Sequence, residues 1–531
     1  MRNILYLLLI ALCCIALAAQ STKTDVEQQR AQLPDIAGPW QLKPLLLKGA
    51  AAPDTGGTFL EFGETYAMDD FLVFWARYGE GEKAWGLFSL KNGKLVKVLS
   101  EDTDLPTPDG HKIKVTRHPS PSTSARQAKW KSSNAIDQES WPVIHAGKRM
   151  LYISARRPEH VYGWDGERLL RVLGNGDTLT VGGAKYQVKR ASVLDVNTVG
   201  QALLYYDANK PESEGWVLHD GASFIPLWKE GDELPGRPAI RIKNLSSGPG
   251  CIFKCVVPPR LLPDGSLVAF VETATGTEFF RISSDKSESL STTGGGAPRA
   301  ILAVRPDAYI LDITESSTVQ GFRETTYYDS PKLLFYGAGK SVAVGKLDIA
   351  YTGPSTSSFL PSKLDIIAFD EAIFLGPDSS RALVSMKISS QQKHWVKRTS
   401  GLSFPNLLFF DGQQVRRVPW EKTVGMDVGG VVNALEKPYP SLITAPWPDR
   451  IVLHKVDGPV PGVRVELPRV GSGTGRWFVP ADTTDGNLIQ GPRFSLEGRT
   501  VTAADVIVWK GSTAVVGIDD GYFLMEQVPA K

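Results

Sequence analysis

Apolar and polar positions along this chain fall into one returning phrase: an apolar run, a tight glycine-containing turn and a second apolar run. It reads WGLFSLKNGKLVKVL at 85–99, VYGWDGERLLRVL at 161–173 and WVLHDGASFIPLW at 216–228. With drift it recurs as KLLFYGAGKSVAV at 332–344, NLLFFDGQQVRRV at 406–418 and DVIVWKGSTAVV at 505–516. Strand-length apolar runs joined through Asn-Gly, Asp-Gly or Lys-Gly predict β-hairpins, because those turn residues tolerate the positive φ of a tight turn. A further apolar strand precedes the phrase, as in DFLVFWAR at 70–77, GKRMLYIS at 147–154, GQALLYY at 200–206, GSLVAFV at 265–271 and RALVSM at 381–386. A polar phrase follows it: EDTDLP at 101–106, GNGDTL at 174–179 and KEGDELP at 229–235.

The turn glycines Gly93, Gly166, Gly221, Gly339, Gly412 and Gly511, with a degenerate copy at Asp285-Lys286 and one more at Gly458, set a repeat of roughly 50 to 75 residues. Four antiparallel strands per repeat predict an all-β fold, a β-propeller of seven or eight four-stranded blades spanning residues 34–531 as one domain. Tandem β-sandwich domains are the alternative. Ring closure is expected from pairing of residues 34–60 with the C-terminal strands at 505–526, which removes two open sheet edges.

The opening MRNILYLLLIALCCIALAAQ has a basic start at Arg2, an apolar stretch from Ile4 to Leu17 and small residues at Ala16 and Ala18. That layout predicts a signal peptide over 1–18, followed by a flexible lead-in over 19–33, and hence a periplasmic or extracellular monomer with no lipid anchor and no membrane span after cleavage. Export would leave Cys251 and Cys255, four apart in GPGCIFKCVVPP, as a local disulfide; free thiols or half of a metal site are the competing readings. The formal net charge is only +2, so no whole-protein field favours nucleic acid.

The phrase KGAAAPDTGGTF at 48–59, the strand start Asn197-Thr198-Val199-Gly200 and GDELPG at 231–236 resemble a family of bacterial exported tandem-repeat, propeller-like proteins. Their repeats carry an Asn-x-x-Gly-x-x-Ala-Phe-like strand motif and a Gly-Asp-x-x-Pro loop. The resemblance implies a secreted propeller-like fold with no established activity and covers most of residues 40–290. The chain departs from the pattern at Glu101–Pro106, which lacks the Gly-Asp pair.

Catalytic signatures fail on inspection. Gly337-Ala338-Gly339-Lys340-Ser341 ends like a phosphate-binding loop but has Leu334 where the first glycine belongs, and it is expected to be a hairpin turn. Gly471–Gly475 is expected to be a flexible connector. No Gly-x-Ser-x-Gly elbow is present, the seven histidines show no metal-ligand spacing, and no cofactor is expected. Two stretches break the repeat rhythm. Residues 110–137 carry Lys112, Lys114, Arg117, Arg126, Lys129 and Lys131 around Trp130 with no acid between Gly110 and Ile136, and 387–398 carries Lys393 beside Trp395. Cations interleaved with an aromatic ring can hold an anionic chain, the charges on its acidic groups and the ring on a sugar face. The expected function is a non-catalytic exported scaffold binding an envelope protein or acidic glycan; the alternative is a secreted polysaccharide-active lyase or hydrolase.

Overall fold

The structure, a computed structural model, describes residues 36, 38–79, 84–100, 103–106, 112–114, 142–155, 160–181, 183–208, 214–242, 257–273, 276–290, 297–320, 325–337, 340–344, 365–389, 403–418, 451–470, 473–482, 486, 488–489, 491–518 and 521–528. Among these, eight antiparallel meanders follow one another. Blade 1 comprises Phe59–Ala67, Phe71–Tyr78, Ala84–Lys91 and Lys94–Ser100, and blade 2 Pro142–Ala146, Leu151–Ala155, His160–Trp164 and Leu169–Gly174. Blade 3 runs from Ala184–Val196 through Ala202–Ala208 and Gly215–His219 to Phe224–Lys229; blade 4 spans Arg260–Leu261, Leu267–Thr273, Gly276–Ile282 and Ser287–Ser289. Blade 5 holds Ala297–Arg305, Ala308–Gln320, Thr325–Gly337 and Lys340–Val344, and blade 6 Asp365–Leu375, Arg381–Ser389, Ser403–Phe410 and Val415–Arg417. Blade 7 has three strands, Val452–Val456, Gly462–Val470 and Gly473–Pro480, with a single bridge from Phe478 to Ile489 in the fourth position.

Blade 8 joins the two ends of the described chain. Trp40–Leu47 lies antiparallel against Gly521–Gln527, which continues to Thr513–Ile518 and Val506–Lys510. This is the expected closure, and it excludes a row of separate sandwiches. The core is correspondingly divided into seams. Leu87 and Trp164 belong to the seam between blades 1 and 2, Tyr152 and Leu204 between 2 and 3, and Trp216 and Phe280 between 3 and 4. The series goes on through Phe270 with Leu311, Phe335 with Phe410, Leu383 with Val463, Phe478 with Ala504, and Tyr522 with Phe74. Each blade is too thin to bury both faces alone, so the ring is stabilised seam by seam.

The turn chemistry matches the residues. Asn92 (φ 50°) and Gly93 (φ 77°) close the first hairpin. The Asp165, Asp220 and Asp411 carboxylates each accept two backbone N–H bonds of 2.8–3.0 Å from the residues two and three positions on. Gly337 pairs with Lys340, so the loop-like sequence there is a hairpin end. Two expectations are corrected. Gly473 and Gly475 are strand residues that pair with Val470 and Leu467, not a connector, because they begin the third strand of blade 7, which lies antiparallel to the second. Gly458 lies between the first and second strands of blade 7 and Gly511 between the first and second strands of blade 8, whereas the hairpins of blades 1 to 6 join third and fourth strands.

Candidate functional site

Antiparallel meandering fixes which connections share a face. In each blade the link from second to third strand, and the link from fourth strand to the next blade, emerge at the same end. The repeated glycine hairpins emerge at the opposite end. Those on the latter face are short, whereas the former face carries the long stretches between Lys114 and Pro142, Arg241 and Arg260, Val344 and Asp365, and Arg417 and Val452.

The long-connection face has a repeated element of its own, a small hairpin wedged between blades. Between blades 2 and 3, Gly176 N–H donates to Val188 O (2.9 Å), Val188 N–H returns to Asp177 O (2.8 Å), and Asp177 N–H donates to Gly174 O (3.0 Å). Between blades 3 and 4 the same three bonds join Gly231 to Ile242 (2.8 Å), Ile242 to Asp232 (2.9 Å) and Asp232 to Lys229 (3.2 Å). Between blades 8 and 1 they join Gly49 to Phe59 (2.8 Å), Phe59 to Ala50 (2.9 Å) and Ala50 to Leu47 (3.2 Å). Gly49, Gly176 and Gly231 have φ of 84°, 87° and 85°, so the left-handed backbone selects glycine at this one position. Two residues after the Asp position, Ala52, Leu179 and Leu234 are buried in the seams. Thr103 and Leu105 take the corresponding places between blades 1 and 2, and Pro492 and Phe494 between blades 7 and 8.

The polar phrases thus end in short paired strands, and the reason is their register. Asp104–Pro106 pairs with Lys112–Lys114, Thr178–Val181 with Ala184–Gln187, and Glu233–Leu234 with Arg237–Arg241. Lys114, Gln187 and Arg241 hold equivalent positions opposite Asp104, Thr178 and Glu233; Lys112 and Lys185 hold another, opposite Pro106 and Thr180. Lys112 and Lys114 thus belong to the repeat, and the break in rhythm begins after Lys114. TLTVGGAKYQ at 178–187 and DLPTPDGHKIK at 104–114 are similar in sequence, and strand pairing rather than spacing shows the shared register. Arg117, Arg126, Lys129, Trp130, Lys131, Lys393 and Trp395 lie outside the described residues, as do Cys251, Cys255 and the N-terminal 1–33.

Charged side chains also meet near the axis, where the first strands of successive blades lie against one another from blade 2 round to blade 1. Arg260 sits 3.4 Å from Asp195 and donates to Ile301 O at 2.9 Å, while Asp195 accepts the Leu261 N–H at 2.7 Å, so blades 3, 4 and 5 are tied. Burial raises the Asp195 carboxyl against these partners. Burial, aided by Arg260, pushes His145 down to about 4, which keeps it neutral. In blade 7 burial opposes ionisation of Glu466, yet His454, Arg464 and Arg476 hold it down to about 2. His454 stands 3.8 Å from Glu466, an ion-pair distance too long for a hydrogen bond, and Arg464 stands at 3.4 Å. Among the described residues no group of three or more His, Cys, Asp or Glu could hold a metal ion, and no helix is long and apolar enough to cross a membrane.

No protein-family model and no curated protein matches the sequence. Solved structures similar in shape include the β-propeller domain of the Trilobed protease from Pyrococcus furiosus, with 8% identity over 88% of this chain and 92% of that one, TM-score 0.26. A Mycobacterium tuberculosis puromycin-hydrolyzing peptidase matches at 12% identity over 91% of this chain and 58% of that one, TM-score 0.31. The Aleuria aurantia lectin matches at 11% over 65% and 96%, TM-score 0.25. These likenesses are low, and the fold rests on the eight sheets and their closure.

Proposed function

We propose that the protein is an exported, non-catalytic propeller scaffold that binds an acidic glycan or protein of the cell envelope on its long-connection face. The observation that carries this reading is topological. The basic run at 110–137 begins in the hairpin between blades 1 and 2, and the run at 387–398 begins at the end of Arg381–Ser389, the second strand of blade 6. Both runs leave ordered strands at the same end of the ring, from blades separated by nearly half its circumference. Excess chain presented by a rigid repeat scaffold is where recognition residues concentrate.

The test is binding of the purified full chain, freed of any signal peptide, to polygalacturonate and to neutral dextran at low and high salt. The reading expects retention on polygalacturonate only, weakening steeply as salt screens the cations. Replacing Arg126, Lys129, Lys131 and Lys393 by Ser is expected to weaken that binding without lowering the melting temperature. Equal affinity for both polymers, or binding indifferent to salt, would remove the proposal; release of unsaturated or reducing ends would replace it with the polysaccharide-active enzyme.

A further inference from the structure

The hairpins wedged between blades carry a charge pattern that the fold itself does not require. On the second strand of the hairpin between blades 2 and 3, Lys185 and Lys189 are exposed, and no ion pair with another described residue is found for either. On the next hairpin Arg241 is 73% exposed and only 3.7 Å from the half-exposed Glu233, a pair that solvent weakens. Arg190 and Arg237 are engaged differently, Arg190 at 3.8 Å from Asp207 and Arg237 over the Phe280 ring at 5.4 Å. By register Lys112 and Lys114 occupy the matching positions on the hairpin between blades 1 and 2.

We infer that these hairpins form a cationic arc across three adjacent blade junctions, which holds a carboxylate-bearing polysaccharide laid over successive blades. The inference rests on the reading of an anionic ligand on this face, and adds that the repeat itself, rather than only the sequence between repeats, makes the contact. Three features support it together. The hairpins share one strand register, in which Lys112 matches Lys185 and Lys114 matches Arg241. They lie on neighbouring junctions of one face. The seam positions Leu105, Leu179 and Leu234 anchor each hairpin, so the cations are presented on an ordered backbone and less conformational entropy is lost on binding. A polymer of regularly spaced carboxylates suits a row of separated cations, each contact being weak and the set additive through multivalency.

The test compares two variants of the full chain, each losing three exposed cations. The first is Lys185→Gln/Lys189→Gln/Arg241→Gln; the second, Lys94→Gln/Arg168→Gln/Lys286→Gln, removes cations at glycine-type turns on the opposite face. The probe is polygalacturonate, with double-stranded DNA as a second anionic polymer. The first variant is expected to bind polygalacturonate about tenfold more weakly and with a shallower dependence on salt, as when phosphate-binding cations are removed from a nucleic-acid site. The second is expected to bind like the unaltered protein. Equal losses in both variants, or none in the first, overturn the arc. Tighter binding to DNA than to polygalacturonate overturns the ligand class. The Arg126, Lys129, Lys131 and Lys393 variant separates the two ideas. Loss there with full binding by the hairpin variant defeats the arc alone, the reverse defeats the role of the interrupting runs alone, and no binding by the unaltered protein defeats both.

Discussion

The Tyr522 phenol lies 2.7 Å from the Thr65 hydroxyl, so two residues 457 positions apart meet at the seam where blade 8 closes on blade 1. Around them Phe62 and Phe74 place their rings 4.9 and 5.1 Å from that of Tyr522. Burial pushes the phenol up to about 12, so it stays protonated. Tyr522→Phe keeps the rings and deletes the bond, and is expected to cost about 1 kcal/mol, read as a lower urea midpoint with an unchanged slope. An unchanged midpoint would show that the hydroxyl pair does not contribute to closure.

Deleting residues 506–531 removes three of the four strands of blade 8 and leaves Trp40–Leu47 without its partner. Because each blade is buried by its neighbours, the loss is expected to spread and the truncated chain to melt far below the full one. A truncated chain with the melting temperature of the full-length protein would contradict a closed ring.

Leu234 is 1% exposed in the seam between blades 3 and 4, beside Trp216 and Phe280. Leu234→Ala opens a cavity there and is expected to cost about 2 to 4 kcal/mol. Asp232 is half exposed; its carboxylate accepts the Lys229 N–H at 2.9 Å, so Asp232→Ala should cost only about 1 kcal/mol. Urea titration of the two variants checks the order, and a larger loss at Asp232 would mean that the turn rather than the wedge holds the hairpin.

The sequence was most legible where one local rule decides the structure. Asp-Gly turns between apolar runs specify hairpins whatever surrounds them, and Asp220 with Gly221 folds as that rule dictates. The wedged hairpins were less legible because their decisive signal is non-local. Leu179 looks like one apolar residue in a polar phrase until the seam that buries it exists, and Asp104 looks like a loop carboxylate until Lys114 is paired opposite it. The charges near the axis were not legible at all. His145, Asp195 and Arg260 come from three blades, and only ring closure brings such residues together. Asn197, singled out as part of a strand motif, has a structural role: its amide donates to Leu262 O at 3.0 Å and so clasps blade 3 to blade 4.

Two groups whose titration is shifted by burial, the half-buried His145 and the buried Asp312, give pH dependences of opposite sign. His145, pushed down to about 4, takes up its proton near 6.5 when unfolded, so its contribution to stability is lost as pH falls from about 6.5 towards 4. Asp312, raised by burial to about 6 despite Arg299 at 3.9 Å, ionises near 3.8 when unfolded, so its contribution is complete at low pH and is lost as pH rises through 6. Between pH 7 and 5 the first change costs, and the second restores, about 1 to 2 kcal/mol, and they largely offset each other. The two substitutions therefore expose what the unaltered protein conceals. His145→Gln should become more stable on going from pH 7 to 5 relative to the unaltered chain, and Asp312→Asn less stable, in urea titrations at the two pH values. If both variants follow the pH profile of the unaltered chain, neither group titrates differently in the folded and unfolded states. A shift of the same sign in both would show that one of the two environments is assigned the wrong way round.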